Sequence, residues 1–272
     1  MRSVFILVVA FSLLLSGCQP KISKITETSL SEREEIAFTK WDIPGYFIPK
    51  RIHVIGLGDS LTQGVGDELK KDGYFGRVTG KMTNWKGVKE IDAANLAKRG
   101  RRSDQLINQL GDAAIQSSVK NADVILLTIG GNDIMKVVKA NLFNLKKEDF
   151  YVELGKFEER LDEVFTIIRD LNGDAVIVLA GLYNPMSIVT EETTEFEDII
   201  DDWNRAIEVR ASMDGKACFI PVSDLFDSNA NMVYHTDFFH PNAKGYDAMA
   251  DRFLETLEAC DVSKLSDGEL AM

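Results

Sequence analysis

The chain has 272 residues, 45% hydrophobic and 27% charged, which is enough for one sizeable core and makes a single catalytic-size domain the default. A formal net charge of −12, with a pI near 4.8, leaves no broad basic surface to neutralise phosphates. That excludes electrostatically driven nucleic-acid binding, and an anionic membrane would repel the chain. The acidic balance bears on solubility and association, not on fold.

In chain order, Arg2 precedes the apolar stretch Val4 to Leu15, which is too short for the roughly 20 residues a membrane span needs. Small residues follow at once, as at a processing site, so residues 1–17 read as a signal peptide. Leu15-Ser16-Gly17-Cys18 resembles the lipobox of bacterial lipoproteins. The resemblance implies cleavage before Cys18, diacylglycerol on its sulfur, and an anchor on the extracytoplasmic face of the cell membrane. Several acyl chains on one residue hold firmly, since each buried methylene contributes about 0.8 kcal/mol. An ordinary secretory signal with a chance cysteine is the alternative. Residues 18–48 mix Lys, Ser, Thr and Glu and read as a tether with a possible short helix near Thr28 to Glu35.

From residue 49 to 262, short Val- and Ile-rich runs alternate with amphipathic stretches. The runs Ile52 to Leu57, Ile91 to Leu96, Val124 to Ile129, Ala175 to Leu182 and Cys218 to Val222 predict five strands covered on both faces. Helical patterns cover about 103–119, 149–171, 195–213 and 242–260. The alternation predicts an α/β three-layer sandwich around a five-stranded parallel sheet, doubly wound in the flavodoxin manner. Residues 134–150, with Phe143 and Phe150, fall where such folds place loops around the ligand crevice. A lid is one reading and a surface connection the other. Residues 263–272 read as a C-terminal tail.

Three segments carry chemistry. Gly58-Asp59-Ser60-Leu61-Thr62-Gln63-Gly64 follows the first strand and exposes a hydroxyl at a strand-to-helix turn, where backbone N–H groups can receive developing negative charge. The same turn can simply cap a helix through Asp59 or Ser60. Thr128-Ile129-Gly130-Gly131-Asn132-Asp133 ends the central strand, and Asn132 can donate its amide to an oxyanion, though the sequence is also a good turn. Asp237-Phe238-Phe239-His240-Pro241 enters the last helix with an Asp three residues before a His, so that Asp237 can orient the imidazole of His240 toward a nucleophile, with Ser60 the natural candidate. Of the other histidines, His53 lies within a strand run, and His235 lacks the Pro-helix entry. Cys218 and Cys260 either pair or stay as buried thiols. No CxxC or close Cys/His cluster points to structural zinc.

Gly58-Asp59-Ser60-Leu61, Gly100, Gly130-x-Asn132-Asp133 and Asp237-x-x-His240-Pro241 together resemble the four blocks of the SGNH, or GDSL-type, hydrolase superfamily over residues 50–256. The second block rests on Gly100 alone. The resemblance implies an α/β sandwich, Ser60 as nucleophile, His240 as base, Asp237 as its orienter, and an oxyanion hole from the Ser60 N–H, the Gly100 N–H and Asn132. It implies no metal and no cofactor. The expected activity is hydrolysis of carboxylic esters through an acyl-enzyme, rising as His240 deprotonates. Lipid or lysophospholipid esters and O-acetyl groups on envelope glycans are both expected substrates, with Phe143, Phe150 and Tyr183 to Met186 as candidates for an apolar acyl site. The competing reading is a lipoprotein that keeps the scaffold and binds a glycan, lipid or partner protein without catalysis.

Overall fold

The computed structural model describes residues 43–141, 144–185, 195–227 and 232–272. Five strands, β1 (Lys50–Gly58), β2 (Val88–Asn95), β3 (Val124–Thr128), β4 (Val176–Ala180) and β5 (Ala217–Ile220), form one sheet in the order β2-β1-β3-β4-β5. Every pairing is parallel. The helices are α1 (Ser60–Gln63), α2 (Gly73–Met82), α3 (Ser103–Leu110), α4 (Ala113–Asn121), α5 (Gly131–Ala140), α6 (Lys147–Leu171), α7 (Glu195–Ser212), α8 (Ala243–Ala259) and α9 (Val262–Leu265).

The period of two along each strand divides the core. Val54, Leu126 and Val178 face one side, where Tyr74 and Val78 of α2 and Met249 and Phe253 of α8 cover them. Ile55, Ile125, Leu127, Ile177 and Leu179 face the other, under Leu106 of α3, Leu161 and Val164 of α6 and Trp203 of α7. This is the expected doubly wound, three-layer α/β sandwich. Its switch point, where chain order reverses between β1 and β3, is where such sheets bind ligands beyond the strand carboxyl ends.

Several boundaries differ from expectation. The sheet edge β2 begins at Val88 and has no buried residue, so it is not covered on both faces. The pattern over 103–119 breaks into α3 and α4, because Asp112 accepts the Ala114 and Ile115 N–H groups and starts a new helix. Residues 131–140, partly expected as loop, are helical, with Ile134 and Val137 buried. Helix α2 contains Gly73, Gly76 and Gly80, which hides it from propensity, and its burial of Tyr74, Phe75, Val78 and Met82 supplies what propensity lacks. Residues 263–272 are not a free tail. Leu265 and Leu270 are buried, Ala271 bridges to Lys86, and Asp267 pairs with Lys216. The last residues of the expected tether also pack on this end, since the Tyr46 N–H donates to the Gly268 carbonyl (2.7 Å).

Cys218 of β5 and Cys260, at the end of α8, form a disulfide. It closes a sequence separation of 42 residues, which in the chain-entropy view contributes about 4 kcal/mol by restricting the unfolded chain.

Candidate active site

The site begins where β1 meets β3. At Gly58 (φ 103°) a Cβ would lie 1.8 Å from the Thr128 carbonyl oxygen, so only glycine lets the two strand ends approach this closely. Asp59 then caps α1. Its carboxylate accepts the Leu61 N–H (3.1 Å) and the Thr128 hydroxyl (2.6 Å). Full burial pushes the Asp59 carboxyl up to about 6, against the pull of these bonds, with the charge of Asp133 acting in the same direction as burial. The two sequence readings of this turn therefore fall on different residues: Asp59 is the cap, and the Ser60 hydroxyl is left for another partner.

That partner is His240. Its Nε2 lies 2.9 Å from Ser60 Oγ, and its Nδ1 lies 2.7 Å from Asp237 Oδ2. The second oxygen of Asp237 accepts the backbone N–H groups of Phe239 (3.1 Å) and His240 (3.0 Å). Spacing explains this local fold: a carboxylate three residues ahead of the imidazole can close the turn with one oxygen and orient the ring with the other. Partial burial would raise the Asp237 carboxyl, but the His240 N–H, its imidazole and the Phe239 N–H hold it at about 2. His240 is almost fully buried, and burial lowers its pKa from the ordinary 6.5, assisted by the positive charge of Arg99 and opposed by Asp237. The ring is thus neutral at neutral pH, as an acceptor for a serine proton must be. The pH profile of kcat/KM is accordingly expected to rise to a plateau with its midpoint below 6.5, a shape that stopped-flow or steady-state assays from about pH 5 to 9 would reveal.

The remaining histidines lie elsewhere. His235 Nδ1 is 3.8 Å from Asp237, beside the pair and not within it. His53 sits between Asp92 and Asp123, 3.6 Å from each, and is half-exposed.

Asn132, in the first turn of α5, lines the pocket beside Ser60 and donates to the Arg101 carbonyl (3.2 Å). Gly100 occupies an exposed turn at φ 79°, a conformation that favours glycine, and lines a neighbouring polar recess with Lys98, Arg99, Arg101 and Gln105. The Lys98 N–H donates to the Gly58 carbonyl (3.0 Å) and the Arg99 N–H to Gln63 Oε1 (2.6 Å), fixing this turn to the elements that carry Ser60. Among the described residues, the Ser60 and Gly100 N–H groups make no hydrogen bond.

A buried network that residue types alone did not disclose joins these parts. Asp133 is fully enclosed and accepts the Ser103 N–H (3.0 Å), the Ser103 hydroxyl (2.6 Å) and Arg160 Nη1 (3.2 Å). Arg160 also donates to Glu153 (2.6 Å). The carboxylate thereby ties the first turn of α5 to the start of α3, beside the Asn132–Arg101 contact. The signal for it in the sequence was Asp133 itself, which stands in the Gly130-x-Asn132-Asp133 block without a role attached to it.

A narrow apolar pocket of about 50 Å³, open to solvent, reaches from Ser60 between Ile134 and Met135 of α5, Leu182 and Tyr183 after β4, and Phe196 and Ile200 of α7. Tyr183, expected in an acyl site, does line it. Phe150 does not: it is buried behind the wall, edge-on to Phe196 at 5.9 Å. Phe143 and Met186 lie outside the described residues, as do Cys18 and the signal peptide.

With this geometry in place, comparison with known proteins defines the class. The family model of the GDSL-like Lipase/Acylhydrolase family matches residues 57–248, and the chain belongs to that family. It is a GDSL-type hydrolase of carboxylic esters. Over 257 residues it is 33% identical to the uncharacterized protein YpmR of Bacillus subtilis, spanning 94% of this chain and 96% of that one. The spore germination lipase LipC of Bacillus licheniformis is 26% identical over 205 residues, 72% of this chain and 92% of its own. Among solved structures, the lipase Lip_vut3 from a goat rumen metagenome superposes with a TM-score of 0.68 at 26% identity, covering 79% of this chain and 99% of that one.

Proposed function

We propose that the chain is a serine acylhydrolase in which Ser60 is the nucleophile, His240 the general base and Asp237 its orienter. The observation that carries this reading is the unbroken path from Asp237 Oδ2 through His240 to Ser60 Oγ, at 2.7 and 2.9 Å, beside an apolar pocket. Ser60 Oγ attacks the ester carbonyl carbon while His240 Nε2 takes its proton. The resulting oxyanion is received by the Ser60 and Gly100 N–H groups and the Asn132 amide. Collapse of the intermediate breaks the C–O bond, and His240 returns the proton to the leaving alcohol. Water, deprotonated by His240, then attacks the acyl-enzyme and releases the acid.

The pocket supports a reading of the substrate class. Its walls are aliphatic and aromatic, which favours esters of apolar acyl chains over O-acetyl groups on glycans. Each methylene buried contributes about 0.8 kcal/mol, or about 4-fold in kcat/KM if fully realised at the transition state. On p-nitrophenyl esters, kcat/KM is expected to climb from acetate through hexanoate and octanoate. Ile200→Trp, which fills the pocket, is expected to move the optimum to shorter chains. A flat or acetate-dominated series would exclude this acyl site.

The location is read from residues 2–18. A positive start, a short apolar run and Leu15-Ser16-Gly17-Cys18 support diacylglycerol attachment at Cys18 and a position on the extracytoplasmic face of the membrane. Metabolic labelling with a radioactive fatty acid should mark the protein in its native host and be lost in Cys18→Ala; equal labelling of both would refute the anchor.

A further inference from the structure

On α7, Phe196, Ile200 and Asn204 follow one another at intervals of four and so share one face of the helix. The first two line the pocket beside Ser60. Asn204 instead reaches the chain leaving β4, where its Oδ1 accepts the Leu182 N–H (2.6 Å) and its Nδ2 donates to the Leu182 carbonyl (2.9 Å). The amide does there what a neighbouring strand does within the sheet. One residue earlier the Gly181 N–H still donates to the Ile220 carbonyl of β5 (2.9 Å), and at Leu182 the Asn204 side chain supplies donor and acceptor together. A Cβ at Gly181 would lie 2.8 Å from Asn204 Oδ1 and 2.9 Å from the Phe219 ring, so glycine is what lets the chain pass this close.

Leu182 is thereby a fixed wall of the pocket. Its backbone cannot retreat without breaking both bonds, and buried N–H and C=O groups need partners. Its side chain is buried against the turn that opens α5, with δ-carbons 3.5 and 4.0 Å from where Cβ atoms would stand on Gly130 and Gly131. The residues after it are tied as well: the Tyr183 hydroxyl donates to the Phe239 carbonyl (2.6 Å), and Asn184 Nδ2 donates to Glu197 of α7 (2.7 Å). The space left between this wall, α5 and α7 is about 50 Å³. A close-packed slot of that size follows the outline of a chain and resists an added branch, because extra atoms in a packed interior force their neighbours to move.

We propose that Asn204 is a specificity-determining residue: by clamping Leu182 it holds the acyl pocket to the width of an unbranched chain, so that straight-chain acyl esters are preferred over branched ones of equal carbon number. This rests on the reading of Ser60 as nucleophile and of the apolar pocket as the acyl site.

The test compares kcat/KM for the p-nitrophenyl esters of hexanoate and 4-methylpentanoate, isomers that offer the pocket the same number of carbons in different shapes. The straight-to-branched ratio is expected to be about 20 in the wild type and to fall toward one in N204A. Leu182→Ala, which cuts back the same wall without touching Asn204, should lower it too. Asn204→Asp keeps the bond from the Leu182 N–H but sets a carboxylate oxygen against the Leu182 carbonyl; it should also lower the ratio, and it decides the matter should N204A fail to fold. Partial unfolding reduces both rates equally and leaves the ratio unmoved, so the ratio separates a clamp from a merely structural side chain. A wild-type ratio near one, or a ratio that the Asn204 variants or Leu182→Ala leave unchanged, would overturn the clamp. In each of those cases, hexanoate hydrolysis that is lost in Ser60→Ala would leave the acylhydrolase reading intact, whereas hydrolysis that survives Ser60→Ala would overturn both.

Discussion

Replacing Ser60 with alanine is expected to lower kcat on a medium-chain ester by about 10⁴-fold or more, with little change in stability. The two expectations come from different atoms. Among the described residues, the hydroxyl is the only group that both reaches the pocket and lies within 2.9 Å of an imidazole nitrogen. The turn that holds it does not depend on the hydroxyl, because Asp59 supplies the cap and Thr128 receives the Thr62 N–H at 3.2 Å. Removing Oγ leaves one His240 nitrogen without its partner, a cost of about 1 kcal/mol to folding. Kinetics on the octanoyl ester, paired with chemical denaturation, separates the outcomes. An alanine variant that retains activity would remove Ser60 from the chemistry, whereas one that unfolds would assign it a structural role.

The second large effect is expected at Asp237→Asn, where kcat should fall about 10⁴-fold. The substitution keeps the shape of the turn, since an amide oxygen can still accept the Phe239 and His240 backbone N–H groups, which lie at 3.1 and 3.0 Å from the present carboxylate. What changes is the proton on the ring. An amide NH₂ facing Nδ1 makes that nitrogen an acceptor, so the ring proton moves to Nε2 and points at Ser60 Oγ, where a base needs a lone pair. A change of less than about 10-fold in kcat, with stability preserved, would show that His240 does not depend on Asp237 for its tautomer.

The elements that were legible in sequence are those whose burial is local and periodic. The central strands β1, β3 and β4 appear as runs such as Val124 to Thr128 and Val176 to Ala180, because both faces of the sheet are covered. Helix α2 was hidden because its three glycines lower intrinsic propensity, and only packing of Tyr74 and Val78 on the sheet makes it a helix. Likewise Gly130-Gly131-Asn132-Asp133 reads as a turn, yet it opens α5. The Asp237–His240 pair was legible because three residues of spacing nearly suffice to build it. The pairing of His240 with Ser60 spans 180 positions and followed from motif order, not from any local signal.

The pocket and its supports were harder to read for the same physical reason. Ile134, Leu182 and Ile200 come from three separate segments, and each alone is an ordinary core residue. Phe150 was misplaced because an aromatic near a crevice loop can serve the site from within it or from behind its wall, and only the contact with Phe196 distinguishes the two. The Asp133–Ser103–Arg160 network requires three helices to meet, and no spacing in the chain encodes that meeting. The Cys218–Cys260 pairing also depended on a tertiary fact, the packing of α8 against β5.

The most direct test of the account is to trap the nucleophile. The purified full-length protein should be treated with an alkyl p-nitrophenyl phosphonate, whose phosphorus accepts a serine oxygen and releases p-nitrophenolate. Intact-mass and peptide mass spectrometry then locate the adduct while residual esterase activity is followed. The account predicts that phosphonylation of Ser60 tracks the loss of activity to completion, and that Ser60→Ala takes up no label at that peptide. Full activity after Ser60 has been modified, or complete inactivation with the adduct on another residue, would contradict it.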